Sequence, residues 1–399
     1  MSKVDRWLLP DGIEELLPPQ GMALELARRK VLDQFHRWGY ELVVTPMVEF
    51  LDSLLTGTGS DLDLKTFKVT DQVSGRTLGI RADITPQVAR MDAHSLRRDQ
   101  ENRLCYVGTV LHAKADNMLA SRAPISIGAE LFGDSGTSGD LEIVSLMLDS
   151  IASVSSEALH VELGDVGIYR SLMADAGLSE AQEAVLFEKI QGKAIPDLKE
   201  LLVDWQVDSK LAEQLLILPS LCGDESVIDT ALDAFEDDAE IVERISNLIS
   251  IALGLKQRFG SVLLNYDLSE LRGYNYHTGI VFAAFLADNG VRVAKGGRYD
   301  DVGQVFGRAR GATGFDMDLK ALVKHSEVPE TSTVIVSAPP MNGSLEDESE
   351  YSVARFEKIA QLRETGFTVI ESETEFATKR LILENEEWVV VDATNLQEN

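Results

Sequence analysis

Two stretches hold side chains suited to gripping a small polar molecule: Glu270-Leu-Arg-Gly-Tyr-Asn-Tyr-His-Thr-Gly-Ile-Val-Phe282 and Ala294-Lys-Gly-Gly-Arg-Tyr-Asp300. Between them they bring an Arg and several aromatic hydroxyls to neighbouring strands. That is the chemistry of a pocket for a zwitterion with a polar side chain. Each charged or polar end of such a ligand needs a partner once water is excluded. Arg272 offers a planar fork matched to a carboxylate. Gly296-Gly297 reads as the mark of a bulge.

The elements that must position these residues follow from periodicity. Leu24, Ala27, Val31 and Phe35 recur at helical spacing in 22–38, and Gly39 reads as a helix stop. Leu42–Val44 reads as a strand. Thr66–Val69 and Thr77–Arg81 flank a turn rich in Asp, Ser and Gly and predict a hairpin. Thr85-Pro86 reads as an N-cap with Pro at N1, so a helix is expected from there to about His94. Cys105–Leu111 and Ile125–Phe132 are β-prone, Leu141–Val154 is an amphipathic helix, and His160–Leu163 a strand. From about 167 to 257 the pattern is helical with acidic faces, an expected insertion. Strands return at Val262–Leu268, Gly279–Phe285 and Arg292–Ala294. Val323–Thr333 reads as a linker, and Leu345–Glu350 as an exposed loop or helix start. Val334–Ser337, Glu350–Glu364, Thr368–Glu371, Leu381–Leu383 and Trp388–Val391 then form a small α/β module. The expected organisation is an α+β core over 1–325, containing the helical insertion, and an α/β domain over 331–399.

Bulk composition narrows the function. The 399 residues include 66 acidic and 37 basic side chains, a formal net charge of −29. Proteins that hold nucleic acid neutralise phosphates with Lys and Arg, so this field opposes an RNA partner. From 331 onward five basic residues (Arg355, Lys358, Arg363, Lys379, Arg380) face about fourteen acids. No apolar run reaches the roughly 20 residues that span a bilayer. The N-terminal Met-Ser-Lys-Val-Asp-Arg-Trp has no apolar signal core, which predicts a cytoplasmic protein. Cys105 and Cys222 are expected as two buried free thiols. No Cys/His cluster has metal spacing, and no cofactor is implied.

Most of residues 5–322 resembles histidyl-tRNA synthetases and their non-catalytic relatives. Trp38-Gly-Tyr-Glu-Leu-Val-Val-Thr-Pro46 with Glu49 is similar to motif 1 of class II synthetases, the dimer-forming helix and strand. Arg81-Ala-Asp-Ile-Thr85 stands where the family has Arg-Pro-Glu-Gly-Thr. Tyr106-Val-Gly-Thr-Val-Leu-His112 resembles motif 2, and Gly128-Ala-Glu-Leu-Phe-Gly133 the family's Gly-Val-Glu-Val-Phe-Gly. Thr313-Gly-Phe-Asp-Met-Asp-Leu-Lys-Ala-Leu322 resembles motif 3. The resemblance implies a class II antiparallel sheet with flanking helices and a histidine pocket. Asp83 and Thr85 would meet the ammonium, Arg272 the carboxylate, and Glu130 and Tyr299 the imidazole. Tyr276 would wall the ring. His277 replaces a family Tyr and keeps one hydrogen bond. From the residues alone, Thr85 also reads as a helix cap, and Glu130 as the partner of a neighbouring Arg. Ser126 stands where the family has Gln.

Amino-acid activation needs fixed cations around the ATP phosphates. The family supplies an Arg from motif 2 and one from motif 3. Here His112 and Ala321 stand at those positions, Lys114 replaces an acid, and Asp316 and Asp318 add negative charge. Each lost charged contact costs on the order of 2–5 kcal/mol of binding. Arg308-Ala-Arg310 reads as a loop salt-bridge pair or a phosphate contact. A kept histidine pocket, a lost ATP site and an RNA-repelling surface resemble the regulatory subunits of short-form ATP phosphoribosyltransferase. What the resemblance implies is a histidine sensor with no catalytic residue and no tRNA or membrane partner. It would form a dimer through motif 1, within a hetero-octamer with the catalytic subunit of the first step of histidine biosynthesis. The alternative is an active ATP-dependent histidine ligase.

Overall fold

A computed structural model describes residues 7–56, 60–115, 120–174, 176–260, 262–271, 273–274, 276–324, 334–339 and 349–393. Arg272 and nearly all of the expected linker and acidic run lie outside them. The chain divides into two compact units, 1–328 and 329–399.

The first unit is built on a nine-stranded sheet. Its strands are β1 (Glu41–Leu42), β5 (Asn102–Thr109), β6 (Ile125–Phe132), β7 (Leu159–Asp165), β8 (Cys222–Gly223), β9 (Leu263–Asp267), β10 (Ile280–Leu286), β11 (Arg292–Arg298) and β12 (Ala312–Asp318). Their spatial order is β1-β5-β6-β12-β11-β10-β7-β9-β8, antiparallel throughout from β5 to β7. A separate three-stranded sheet joins β2 (Val48–Phe50), β3 (Phe67–Thr70) and β4 (Thr77–Ile80) in the order β2-β4-β3.

Side chains alternate faces along a strand, and the sequence uses that alternation to make the two faces of the sheet different. On β6, Ile127, Ala129 and Leu131 are fully buried towards the helices, while Ser126, Gly128 and Glu130 face the other way. On β12, Phe315 and Met317 join the same apolar side, and Phe315 meets Phe35 edge to face at 5.8 Å. The helices Gln20–Arg37, Thr137–Ala152 and Ala239–Arg258 supply the rest of this core, with Val31, Phe35, Ile143, Leu146, Ile245 and Leu248 buried. One face is therefore sealed by helices, and the opposite face floors a cleft.

The stretch expected to be an all-helical insertion carries helices from Val166 to Arg258, but Cys222–Gly223 adds a short strand to the edge of the main sheet. Its apolar residues belong to the same core as the sheet. Cys105 is buried as expected, whereas Cys222 is exposed because it sits on that edge strand. The second unit has β13 (Ile335–Ser337), β14 (Thr368–Ile370), β15 (Lys379–Glu384) and β16 (Glu387–Asp392) in the order β14-β13-β15-β16, with the helix Ser349–Glu364 and a small core around Val336, Ile359 and Leu381. Among the described residues, no helix is long and apolar enough to cross a membrane.

Candidate functional site

The register of five strand pairs lays two rows of residues across the cleft floor. One row runs Leu104, Glu130, Gly314, Gly297, Val281, Gly164 from β5 to β7. The next runs Tyr106, Gly128, Asp316, Lys295, Ala283, Glu162. Three of the six residues in the first row are glycines, with Gly314 and Gly297 side by side next to Glu130, and the row forms a trough. The second carries charges of alternating sign, and Lys295 Nζ lies 3.9 Å from Asp316 Oδ1. The cleft above them encloses about 770 Å³, counting its open mouth.

Gly314 is a requirement of this arrangement. A Cβ there would lie 1.6 Å from Glu130 Oε2, so any other residue would expel the carboxyl from its place. Glu130 is 1% exposed. The Tyr299 hydroxyl donates to its Oε2, while Oε1 has no partner among the described residues. Burial pushes the Glu130 carboxyl well above the usual range, the Tyr299 and Thr85 hydroxyls pull it down, and the charges of Asp83 and Asp316 push it up again. Burial, reinforced by the Glu130 charge, also raises the Tyr299 phenol, which keeps its proton and remains the donor.

Tyr276 stacks on Tyr299 with ring centres 5.1 Å apart, and its buried hydroxyl has no partner among the described residues. His277 stands edge-on to Tyr276 at 5.4 Å. Its ring fits between Gly273 and Gly297: a Cβ on Gly273 would lie 2.5 Å from Nδ1, and one on Gly297 2.6 Å from Cδ2. Burial, and then the charge of Lys295, lower the His277 pKa to about 4. At neutral pH the imidazole is uncharged and available as a hydrogen-bonding group. Asp83 and Thr85 come from the start of the short helix Thr85–Arg90. The Thr85 amide donates to Asp83 Oδ1 at 3.0 Å, and its hydroxyl pairs with the Tyr106 hydroxyl at 3.2 Å.

Of the residues singled out from sequence, Asp83, Thr85, Glu130, Tyr276, His277 and Tyr299 line one cleft, and Arg272 lies outside the described residues. Three simpler readings are corrected. Thr85 is the first helical residue and does not cap the helix through its side chain, because the hydroxyl is turned to Tyr106. Glu130 has a phenol rather than an Arg as its partner. Gly296 and Gly297 sit in regular register; the irregularity on this ladder falls at Ala284/Phe285. Asp318 accepts from the amides of Lys320 and Ala321 and caps the helix Leu319–Lys324. Arg308 pairs with Asp99, and Arg310 with Asp92 and three backbone carbonyls, the ion pairs that the sequence offered beside a phosphate contact.

Sequence reasoning passed over Tyr106, Glu162, Arg292 and Lys295. The alternation that puts Tyr299 and Gly297 on one face puts Lys295 there too, so that signal was present. Glu162 depends on the pairing of β7 with β10, which no local pattern reveals. Among the described residues, no three His, Cys, Asp or Glu side chains are grouped to hold a metal ion. The site is a trough with glycines in its floor, a buried carboxyl and a phenol at one end and mixed charges along its side.

Residues 12–322 match the family described as histidyl-tRNA synthetase. A protein of Stutzerimonas stutzeri, an ATP phosphoribosyltransferase regulatory subunit, is 49% identical over 98% of this chain and 99% of its own length. The chain belongs to the ATP phosphoribosyltransferase regulatory subunits. A Bacillus halodurans protein described as an ATP phosphoribosyltransferase regulatory subunit/histidyl-tRNA synthetase superposes with a TM-score of 0.79 at 25% identity, over 95% of this chain and 96% of that one. A chain of the Thermotoga maritima ATP phosphoribosyl transferase (HisG:HisZ) complex shares the fold, with a TM-score of 0.58 at 16% identity over 76% of this chain and 98% of that one. The regulatory subunit is thus a class II synthetase-like fold of helices and sheets, with one large mixed sheet and two smaller ones.

Proposed function

We propose that this regulatory subunit binds L-histidine in the cleft and, without chemistry of its own, conveys the occupancy of that cleft to the catalytic subunit of short-form ATP phosphoribosyltransferase. The observation that carries the reading is Glu130: a fully buried carboxyl, hydrogen bonded on one oxygen and open on the other, at the end of a glycine-floored trough. An imidazole has two opposed nitrogens and a flat face. One N–H would donate to Glu130 Oε1 and the ring would lie over Gly314 and Gly297, within reach of the Tyr276 hydroxyl or His277. Asp83, Thr85 and Asp316 supply acceptors for the ammonium. Arg272 is assigned the carboxylate by resemblance.

The positions that would bind ATP phosphates support a degenerate nucleotide site. His112 Nε2 is 3.0 Å from the Ala82 carbonyl, Ala321 has only a methyl group, and Asp316 adds an acid to the floor. A net charge of −29 likewise disfavours tRNA. The family name supports assembly with a catalytic subunit, motif 1 supports a dimer, and the hetero-octamer is assigned by resemblance alone. Feedback then requires that histidine bind the inhibited assembly more tightly than the active one.

Calorimetry with a panel of amino acids tests the ligand, and turnover of a short-form catalytic subunit, with this chain and rising histidine, tests the regulation. Selective histidine binding with falling turnover is expected. Equal affinity for glutamine or arginine would sink the ligand, and histidine-dependent ATP–pyrophosphate exchange by the isolated chain would overturn the non-catalytic reading.

A further inference from the structure

The loop carrying Tyr276 and His277 is held by the helical insertion rather than by the sheet alone. Arg170, on the helix Val166–Ala174, donates through Nη2 to the carbonyl of Tyr274 and, at 2.9 Å, to that of His277. Its guanidinium also lies over the Tyr274 ring, 4.6 Å from the centre. Tyr274 points away from the cleft into the insertion. Its ring meets Tyr169 at 5.3 Å and Phe187 at 5.7 Å, and its hydroxyl donates to Glu183 at 2.7 Å. Phe187 and Glu183 belong to the helix Glu180–Gln191. The loop itself is tightly wound: Gly273 has φ +79°, and its carbonyl accepts from the amides of both Tyr276 and His277, at 2.7 and 2.8 Å. At the loop's far end, the Val166 amide donates to the Gly279 carbonyl at 3.1 Å.

These contacts leave the loop little freedom to move apart from the two helices. Its two site residues point to the cleft, while the residue two positions before Tyr276 is the plug of an aromatic socket in the insertion. We infer that Arg170 and Tyr274 are positioning residues: they set the place of Tyr276 and His277 in the cleft, and they carry ligand occupancy from the cleft to the helix Glu180–Gln191. The positioning part stands on these contacts alone; the transmission part rests on the proposal that histidine is the ligand.

A structural role without positioning would lower the melting temperature and leave ligand affinity, measured well below melting, where it was. Arg170→Ala, Arg170→Lys and Tyr274→Phe are compared with the full-length parent chain. Without ligand, Arg170→Ala is expected to speed amide hydrogen exchange in 273–278 while the strands stay protected. It should also weaken histidine binding by about tenfold or more, the scale of a lost charged hydrogen bond, with Arg170→Lys recovering part of both effects. Added histidine should slow exchange in 180–191 of the parent chain. In Tyr274→Phe, which loses only the bond to Glu183, that protection should shrink while histidine still binds. Unchanged exchange and affinity in Arg170→Ala would overturn the positioning role, and if that variant unfolds, the same two measurements on Arg170→Lys decide it. Undiminished protection in Tyr274→Phe would overturn the transmission. If the parent chain fails to bind histidine, the ligand reading and the transmission fall together, and ligand-free exchange still decides the positioning.

Discussion

Replacing Glu130 by Gln separates what its carboxyl does for binding from what it does to stability. The substitution keeps size and shape, so Gly314 still accommodates it, and the Tyr299 hydroxyl still has an oxygen to donate to. What it removes is the ionised form of Glu130, which above the carboxyl's raised native pKa is a charge-assisted acceptor for an imidazole N–H. Such a bond is worth roughly 1.5–3 kcal/mol, or about 10- to 150-fold in Kd. Stability should move the other way. An acid raised by burial holds its proton in the folded chain above its ordinary value of 4.5, where the unfolded chain has already released it. The parent chain therefore loses stability as pH rises from 4.5 towards the native value. Glutamine has no proton to lose, so the variant should gain on the parent as pH rises. Calorimetric histidine titration, paired with urea unfolding at pH 5 and pH 8, reads both quantities. Unchanged histidine affinity would remove Glu130 from the site, and an unchanged stability difference between the two pH values would refute the buried, proton-holding carboxyl.

Three further outcomes follow from the same geometry. Gly314→Ala should abolish histidine binding and cost about 1–3 kcal/mol of stability through overpacking against Glu130; calorimetry and thermal unfolding check both. His277 has its pKa lowered from 6.5 to about 4, so the unfolded chain takes up a proton before the folded one does. Its contribution is lost as pH falls through 6.5 towards 4. His277→Gln should therefore lose less stability than the parent over that window, measured as a difference because Asp165, raised by burial to about 6, titrates in the opposite sense. Arg298 and Asp140 form an ion pair at 3.0 Å with both side chains under 10% exposed. Arg298→Met should cost about 3–5 kcal/mol by leaving Asp140 buried without its partner; restoration by a second change, Asp140→Leu, would be read by denaturant unfolding.

Strand and helix identity was largely legible in the sequence. Ile125–Phe132 and the run around Gln20–Arg37 carry alternation or helical spacing strong enough to set their type, because core burial acts on every second or every third to fourth residue. The ordered motif matches grouped Asp83, Thr85, Glu130, Tyr276, His277 and Tyr299 in one pocket, and the fold lines one cleft with them. What stayed hidden depended on pairing across distance. The charged row of Asp316, Lys295 and Glu162 exists only because β12, β11, β10 and β7 lie side by side in a particular register. Thr85, read as a cap from its place before Pro86, is drawn instead to a hydroxyl 21 residues away on β5.

The chain by itself determined the chemistry on offer: a carboxyl, phenols, an imidazole and glycines, in an acidic polypeptide of net charge −29. Tertiary structure decided what those groups became. Packing drove the Glu130 proton affinity upward and that of His277 downward, by removing the water that would have solvated their charges. It placed Gly297, read as part of a bulge, in regular register on the floor of a trough. It also tied the loop of Tyr276 and His277 to the helical insertion through Tyr274, a contact between residues about a hundred positions apart that no local pattern encodes.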